Sequence, residues 1–490
     1  MWRIFKLGLL IVVAMVVCAL AGCGKQAEQQ AYTDDPNQEV KLVWYNYGGQ
    51  SKDLPLVLAE VNKYLKQKIN ATVEMKLVEH DYDQKIVLAT TAGEPIDLMF
   101  TASWANDYRS NATKGVLLPL NELLKEYGQD ILKIDSPTAW EGTAIKGVNY
   151  AVPCNKDIAT QVYYCANKKL VDECGVDMAA IKKLTDWEPY FAKMKAKHPD
   201  FYGTDVSLLH MPYLMLEYDY LLDKEFPGAV RTDDASCKVI NQYEDKAFLD
   251  RVKAFRDFYK KGYIRTDAPT QFVQIWNPTN KCMMRLSEYL PQAQLDWERD
   301  WGFKVVMQPE FTPAMITSRS VSGMMIGIAS GSKNPARAMK FLNLLWSDPY
   351  LQNLFAFGIE GVHYKKVNDK QVEVLPRAAD YPIWKPTLGN MFIQYIPSYQ
   401  TVTVWDEVKK FNDTAKKSPL LGFSFDSSKV NTEMAAVTNV VKEFTVPILC
   451  GSVEPDAAIK TFLDKARANG LDKIMAEMQR QVDEWKKTKK

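Results

Sequence analysis

Hydrophobic positions in the first quarter of the chain follow two periodicities, one typical of strands and one typical of helices. Residues 40–45 are apolar except for Lys41 and predict a buried strand, and apolar residues three or four positions apart predict a helix over residues 54–69. Alternation at residues 73–77 predicts a second strand, a helix follows at residues 84–91, and residues 97–100 form a third strand. This order predicts an α/β fold with a mainly parallel sheet.

The same two periodicities occur in the second half of the chain. Residues 322–328 form another apolar strand, and Asn334 followed by Pro335 marks the start of a helix that buries Ala338, Phe341, Leu342 and Leu345. Beyond Ser418 the spacing is mainly helical, with turns at Pro447, Gly451, Pro455 and Gly470. We therefore expect a helical C-terminal part.

The N-terminus has the pattern of an export signal. Arg3 and Lys6 precede an apolar run that ends in Leu-Ala-Gly-Cys at residues 20–23. This ending resembles the lipobox of bacterial lipoproteins, which implies a signal peptide at residues 1–22 and a lipidated Cys23. An uncleaved membrane-spanning anchor is the alternative, but the run is short against the roughly 20 apolar residues that a spanning helix needs. The polar residues 24–39 predict a flexible tether, with folded structure starting at Val40.

Charge and cysteine content exclude some classes of function. The chain has 490 residues with 61 basic and 60 acidic side chains, and this balance argues against a nucleic-acid partner. The length predicts two to three domains. Six of the eight cysteines remain beyond Cys18 and Cys23, without a CxxC pair, so no zinc site is expected. Disulfides and buried free thiols both remain open for Cys154, Cys165, Cys174, Cys237, Cys282 and Cys450.

Motifs for catalysis are missing from the sequence. The four histidines are scattered, and no HExxH, GxSxG or phosphate-binding loop occurs. We expect no metal, no cofactor and no enzymatic activity. Carboxylates are numerous, however, so a glycosidase pair is not excluded by counting.

Aromatic residues at predicted strand ends are the candidate binding residues. In open α/β sheets ligands bind beyond the carboxyl ends of the strands, where an aromatic ring can stack on the C–H face of a sugar. The candidates are Trp44, Tyr45, Trp104, Trp276, Trp384 and Trp405. Three polar residues nearby in sequence are candidates for hydrogen bonds to sugar hydroxyls, namely Asp107, Asn277 and Arg319. The alternative for each tryptophan is packing in a core, the role that we expect for Trp187 and Trp346.

Several segments together resemble the sugar-type extracellular solute-binding proteins of ABC importers. They are residues 93–100 with Trp104, residues 114–120, residues 146–153, and residues 330–335 with the helix that follows. Residues 350–364, 421–425 and 477–485 resemble a lipoprotein subfamily with an additional C-terminal region of unknown function. The crowding of Cys154, Cys165 and Cys174 departs from the pattern of that family.

The resemblance implies a type II periplasmic-binding-protein fold with two lobes, a hinge and a cleft between the lobes. The first lobe would contain residues 40–153 and about 323–385, and the second residues 154–322 and about 386–490. A monomer anchored to the membrane would capture a carbohydrate of oligosaccharide size and deliver it to the permease subunits. The alternatives are an exported glycoside hydrolase, a receptor for peptides or polyamine-like solutes, and a sensory receptor without a transporter.

Overall fold

A computed structural model describes residues 32–207, 217–271, 276, 281–309 and 312–489. The predicted signal peptide, Cys23 and Asn277 lie outside these residues. Two β-sheets, of five and four strands, form the main body of the described chain, and each has its own hydrophobic core.

Residues 40–153 supply most of the first sheet and the helices beside it. The strands are β1 (Val40–Tyr47), β2 (Ala71–Val78), β3 (Leu98–Thr101) and β4 (Ala151–Pro153). The helices are α1 (Leu54–Ile69), α2 (Tyr82–Thr91), α3 (Tyr108–Thr113), α4 (Asn121–Tyr127), α5 (Gln129–Ile134) and α6 (Pro137–Thr143). The predicted order of strands and helices up to residue 101 is confirmed.

Residues 162–321 supply the four strands of the second sheet, β5, β6, β10 and β11, together with four strands that belong to smaller sheets. The strands are β5 (Val162–Asn167), β6 (Tyr202–Thr204), β7 (Tyr218–Tyr220), β8 (Ala229–Arg231), β9 (Val239–Ile240), β10 (Cys282–Glu288), β11 (Val305–Pro309) and β12 (Met315–Ile316). The helices are α7 (Lys168–Cys174), α8 (Glu188–Lys197), α9 (Lys246–Lys260), α10 (Ala293–Trp301) and α11 (Ser318–Val321).

The remaining chain returns to the first sheet and ends in helices. The strands are β13 (Met325–Ile328), β14 (Tyr364–Lys366), β15 (Gln371–Val374), β16 (Ile396–Pro397) and β17 (Lys416–Lys417). The helices are α12 (Pro335–Ser347), α13 (Pro349–Phe357), α14 (Val404–Thr414), α15 (Asn431–Leu449), α16 (Pro455–Ala468) and α17 (Leu471–Thr488). The predicted strand before Asn334, the helix start at Pro335 and the helical C-terminal part are confirmed.

The first sheet has the strand order β2-β1-β3-β13-β4. Strands β1, β2 and β3 are parallel, whereas β13 is antiparallel to both β3 and β4. The expectation of a mainly parallel sheet is therefore correct for the first three strands only, because β13 enters from the far end of the sheet. Helices α1, α12 and α13 cover one face, on which Val57, Phe341 and Phe355 are fully buried. This sheet with its helices is the first unit.

The second sheet has the order β11-β5-β10-β6 and packs against α8 and α9. Trp187, Phe191 and Phe258 lie in its core, which agrees with the expected structural role of Trp187. The C-terminal helices α15–α17 form a further core with β7, β8 and the start of α9. Since α9 contributes Phe248 to that core and Phe258 to the core of the sheet, the C-terminal helices and the second sheet form one second unit.

Three connections join the two units and run side by side: the first includes residues 158–160, the second residues 315–322 and the third residues 412–418. Thr160 N donates to Met315 O at 2.8 Å, which joins the first connection to the second. Ser418 N donates to Ile316 O, also at 2.8 Å, and β17 pairs in parallel with β12, which joins the third connection to the second. Asn412 Oδ1 accepts from the backbone N–H of Ile158 at 2.9 Å. The connections thus form one strip between the units.

Two expected boundaries are corrected by the structure. Residues 386–397 pack with the first unit rather than the second, because Leu388 lies in the first core and β16 pairs with β15. Folded structure also begins before Val40. Arg337, whose side chain is 1% exposed, donates to Asp34 Oδ1 at 2.9 Å, and Lys340 Nζ lies 2.7 Å from Asp34 Oδ2. The buried ion pair shortens the predicted tether.

The six cysteines of the described chain are buried and form no disulfide. Among the helices that the structure describes, none is both long enough and apolar enough to cross a membrane.

Candidate functional site

A cavity of about 410 Å³ lies where the two units, the second connection and the C-terminal region meet. Seven residues between Ser103 and Lys114 line it from the first unit, residues 220–223 from the second unit, and Arg319 and Ser322 from the second connection. Residues 425–431 close the cavity from the C-terminal side. Because each group belongs to a different part of the fold, the cavity is a cleft between the units.

The first unit contributes the loop after β3 and the helix that follows it. Asp107 caps α3, and its Oδ1 accepts from Ser110 N at 2.7 Å. Burial in the cleft raises the pKa of Asp107, although the hydrogen bond from Ser110 N acts to lower it. Ser103 Oγ donates to Arg319 O at 3.0 Å, which fixes the loop against the second connection. The sequence thus folds this loop at the carboxyl end of β3, as expected for a binding loop.

Three basic and three acidic side chains line the cleft, namely Arg109, Lys114, Arg319, Asp107, Asp223 and Asp426. Arg319 Nη1 lies 3.4 Å from Asp223 Oδ1 across the cleft, and Arg109 Nη2 donates to Phe423 O at 2.9 Å. Burial raises the pKa of Asp219 to about 6, and the positive charges of Arg109 and Arg319 oppose that shift. The arginines are therefore matched by acidic groups and carbonyl oxygens, so the cleft carries no strong charge of one sign.

Three aromatic side chains form an aromatic cluster beside the cleft, namely Tyr47, Trp104 and Trp384. The ring centroid of Trp104 is 5.1 Å from that of Tyr47 and 5.9 Å from that of Trp384, while Tyr47 and Trp384 are 5.6 Å apart. Trp104 and Trp384 are 45% and 36% exposed, which is unusual for such large apolar side chains. Trp104 Nε1 donates to Gly323 O at 2.7 Å, so its ring is fixed without a ligand.

The aromatic cluster adjoins the cleft through the chain itself. Trp104 follows Ser103, which lines the cavity and whose N–H donates to Ser322 O at 2.8 Å. A ligand in the cleft can therefore meet exposed aromatic surface and polar groups together. Four of the sequence-predicted residues lie here, namely Trp104, Asp107, Arg319 and Trp384.

Strand β1 corrects two predicted binding residues. Trp44 is fully buried between the sheet and its helices, with ring centroids 5.8 Å from Phe341 and 5.7 Å from Phe355. Tyr45 is also buried, and its hydroxyl donates to Glu94 Oε2 at 2.6 Å. Both expectations are wrong because β1 runs two residues further than predicted. The last residue of β1 is Tyr47, whereas the sequence predicts that the strand ends at Trp44 and Tyr45.

Two other predicted tryptophans lie away from the cavity. Trp276 is fully buried, with ring centroids 5.5 Å from those of both Trp301 and Phe303, so its expected contact with a ligand is contradicted. Trp405 is half-buried, its Nε1 donates to Gln394 O at 2.9 Å, and it does not line the cavity. Both tryptophans lie next to predicted loops in the sequence, but that position does not reveal which side chains they pack against in the fold.

Sequence reasoning missed three parts of the site. Tyr47 is the last residue of β1, so a longer strand prediction would have identified it. Residues 220–223 follow the short strand β7 and carry no distinctive pattern. Residues 425–431 belong to the C-terminal region, for which the sequence indicated no role in binding.

Comparison with known proteins gives the chain a family. The family described as "Bacterial extracellular solute-binding protein" matches residues 57–351, and a "Domain of unknown function (DUF3502)" matches residues 419–487. A protein of Streptococcus pneumoniae serotype 4, described as a carbohydrate ABC transporter substrate-binding protein, is 28% identical over all of this chain and 99% of its own length.

Solved structures agree with this match. The crystal structure of the N-glycan transport solute binding protein from Streptococcus pneumoniae has a TM-score of 0.84 at 29% identity, covering 92% of this chain and all of that one. The same protein in complex with Man5GlcNAc has a TM-score of 0.77 at 28% identity, covering 92% and 99% of the two chains. The alginate-binding protein AlgQ2, at 14% identity and a TM-score of 0.63 over 91% and 98%, shares the fold. The chain therefore belongs to the family of bacterial extracellular solute-binding proteins.

Proposed function

We propose that this protein captures an oligosaccharide in the cleft between its two units and delivers it to an ABC importer. The observation that carries the proposal is the exposed aromatic cluster beside a polar cleft. The relative from Streptococcus pneumoniae is described as a carbohydrate ABC transporter substrate-binding protein, and the N-glycan transport solute binding protein of that organism has been solved in complex with Man1GlcNAc and with Man5GlcNAc. We therefore propose N-glycan-type oligosaccharides as the first ligands to test.

The chemistry of the cleft suits a neutral, hydroxyl-rich ligand. Exposed faces of Trp104 and Trp384 offer apolar surface to the C–H faces of sugar rings, while Asp107 accepts hydrogen bonds from hydroxyls and Arg319 donates them. Arg319 faces Asp223, so part of its positive charge is already balanced before a ligand binds.

Hinge closure is the proposed mechanism. We assign residues 40–153 and about 323–397 to the first lobe, and residues 154–322 and about 398–490 to the second. A ligand that contacts both lobes stabilises the closed arrangement by its differential affinity, and the importer would recognise that arrangement. The three neighbouring connections are the segments that would bend.

We propose binding without hydrolysis. Asp107 and Asp223 line the same cleft, and a glycoside hydrolase would need two carboxyl groups there. The relatives are described as substrate-binding proteins, which supports a receptor. Incubating the protein with Man5GlcNAc and following the products by mass spectrometry separates the two functions, since a receptor returns the ligand intact.

Membrane attachment through Cys23 is a further part of the proposal. The family is extracellular, and the lipobox-like sequence at residues 20–23 supports lipidation of that thiol. Because Tyr32 and Asp34 are already held by the first lobe, the segment between the lipid and the lobe would span only residues 24–31, and a monomer would stay close to the membrane. Cys23→Ser should move the protein from the membrane fraction to the medium while its affinity for sugar stays unchanged.

Titration calorimetry tests the proposed function directly. The mature protein is titrated with Man1GlcNAc, Man5GlcNAc and an alginate oligosaccharide as the acidic comparison. We expect saturable binding of the neutral ligands and weaker binding of the acidic one. If no member of the panel binds, carbohydrate capture is refuted, and a peptide or polyamine panel becomes the next test.

A further inference from the structure

The C-terminal region, residues 419–488, is built into the second unit. Its helices bury Val437, Phe462 and Ile474 in a core shared with Tyr218 and Phe248 of that unit. Since all of these side chains are nearly or fully inaccessible, the region moves with the second unit whenever the units move relative to one another.

The same region also contacts the first unit. Arg109 Nη2 donates to Phe423 O at 2.9 Å, and Lys146 Nζ lies 3.6 Å from Asp426 Oδ2. Close packing occurs beside these contacts, because a β-carbon added at Gly422, where φ is +87°, would lie 2.8 Å from Glu141 O. The contacts place the region across the boundary between the units.

Residues 425–431 of this region form one wall of the cleft. Ser427, Ser428 and Asn431 line the cavity, opposite Asp107 and Ser110 of the first unit. Their side chains offer hydroxyl and amide groups, which can donate and accept hydrogen bonds. The wall therefore has the polar chemistry that sugar hydroxyls require.

Helix α17 holds this wall in place. Gln481 Oε1 accepts from Asp426 N at 2.9 Å, and Gln481 Nε2 donates to Asp426 O at 2.7 Å. Asp426 Oδ1 in turn accepts from Ser428 N at 3.0 Å, so both the backbone and the side chain of Asp426 are engaged. Moving this wall would break the paired hydrogen bonds, so the wall can restrict the size of a ligand.

We propose that the C-terminal region is the end wall of the ligand cleft and selects oligosaccharides by their length. The inference rests on the proposed function. The chain of sugars passes over the aromatic cluster, and its terminal unit enters the cavity against Ser427, Ser428 and Asn431. A short sugar is held by the aromatic cluster alone, whereas a longer sugar reaches the wall and gains its hydrogen bonds.

Filling the cavity at the wall tests this assignment. Ser428 is exposed, and Asp426 accepts hydrogen bonds from both its backbone N–H and its side chain. Ser428→Trp therefore adds bulk at the cavity and also removes the hydroxyl, so its control must lack the hydroxyl as well. Ser428→Ala is the matched control, and Asn431→Trp repeats the test from the first turn of α15. Thermal unfolding of each variant verifies the fold, and calorimetry with Man1GlcNAc and Man5GlcNAc gives the affinities.

We expect both tryptophan variants to lose at least about 10-fold in affinity for Man5GlcNAc. Ser428→Ala should lose less than either, because it removes one hydrogen bond but leaves the cavity open. The affinity for Man1GlcNAc should change by less than about 2-fold in every variant. If both ligands bind the tryptophan variants as they bind the wild type, or lose affinity equally, selection by the wall is overturned. If the wild type binds neither sugar, the proposed function fails instead, so the two failures are distinguishable.

Discussion

Replacing Trp104 by alanine should weaken sugar binding through the loss of one stacking surface. Trp104 exposes 45% of its surface beside the cleft, and a tryptophan can bury up to about 250 Å², so roughly 110 Å² is available to a ligand. At about 25 cal/mol per Å², complete cover is worth about 2.8 kcal/mol, and cover of half the area about 1.4 kcal/mol. The expected loss of affinity is therefore about 10- to 100-fold.

Calorimetry on two variants measures this effect with a matched control. Trp405→Ala removes a half-buried tryptophan outside the residues that line the cavity, so its affinity for Man5GlcNAc should stay within about 2-fold of the wild type. Trp104→Ala should lower the melting temperature only modestly, since close to half of the side chain is exposed and the interactions lost are the hydrogen bond to Gly323 O and the ring contacts of the aromatic cluster. The stacking hypothesis is refuted if Trp104→Ala binds as the wild type does, or if Trp405→Ala loses equally.

Three further changes test the structural reasoning. Trp44→Ala should lower the free energy of unfolding by about 3–5 kcal/mol, because it opens a cavity in the first core, and urea denaturation with an unchanged midpoint would contradict this burial. Asp34→Ala should lower the free energy of unfolding by about 3 kcal/mol by leaving Arg337 buried without its carboxylate, whereas an unchanged midpoint would indicate that residues 32–39 are not docked. Burial raises the pKa of Asp219 to about 6, so the folded state favours the protonated carboxyl and loses stability as pH rises from about 4 to 6. Asp219→Asn should therefore gain about 3 kcal/mol over the wild type at pH 7 and almost nothing at pH 4, and a difference that does not depend on pH would refute the shift.

The elements of the first unit could be predicted from sequence because their signals are local. Apolar alternation and helical spacing identified β1, α1 and β2, and the Asn334–Pro335 pair marked the start of α12. The antiparallel placement of β13 could not be predicted, since pairing depends on contacts between distant segments rather than on the pattern within a strand.

Candidate binding residues were predictable only where the position along a strand decided their environment. Trp104 follows β3 at its carboxyl end and is exposed, as a strand-end residue can be. The prediction for Trp44 and Tyr45 was wrong because β1 ends two residues later than predicted, so both residues lie within the sheet rather than at its edge. The prediction that Trp276 contacts a ligand was wrong because Trp276 is buried by Trp301 and Phe303, which lie close to it only in the folded protein.

The wall at residues 425–431 and the buried Asp34 had no local signal. Both lie in polar stretches, and each gains its role from a partner far away in sequence, namely Gln481 for Asp426 and Arg337 for Asp34. Such partners become apparent only when the whole fold is known.

A structure of the protein with bound Man5GlcNAc is the most direct test of oligosaccharide capture in the cleft. We expect a sugar ring stacked on Trp104, with hydroxyls bonded to Asp107 or Arg319 and further contacts from the second unit. A sugar bound outside the cleft, or bound to one unit only, would contradict capture between the two units.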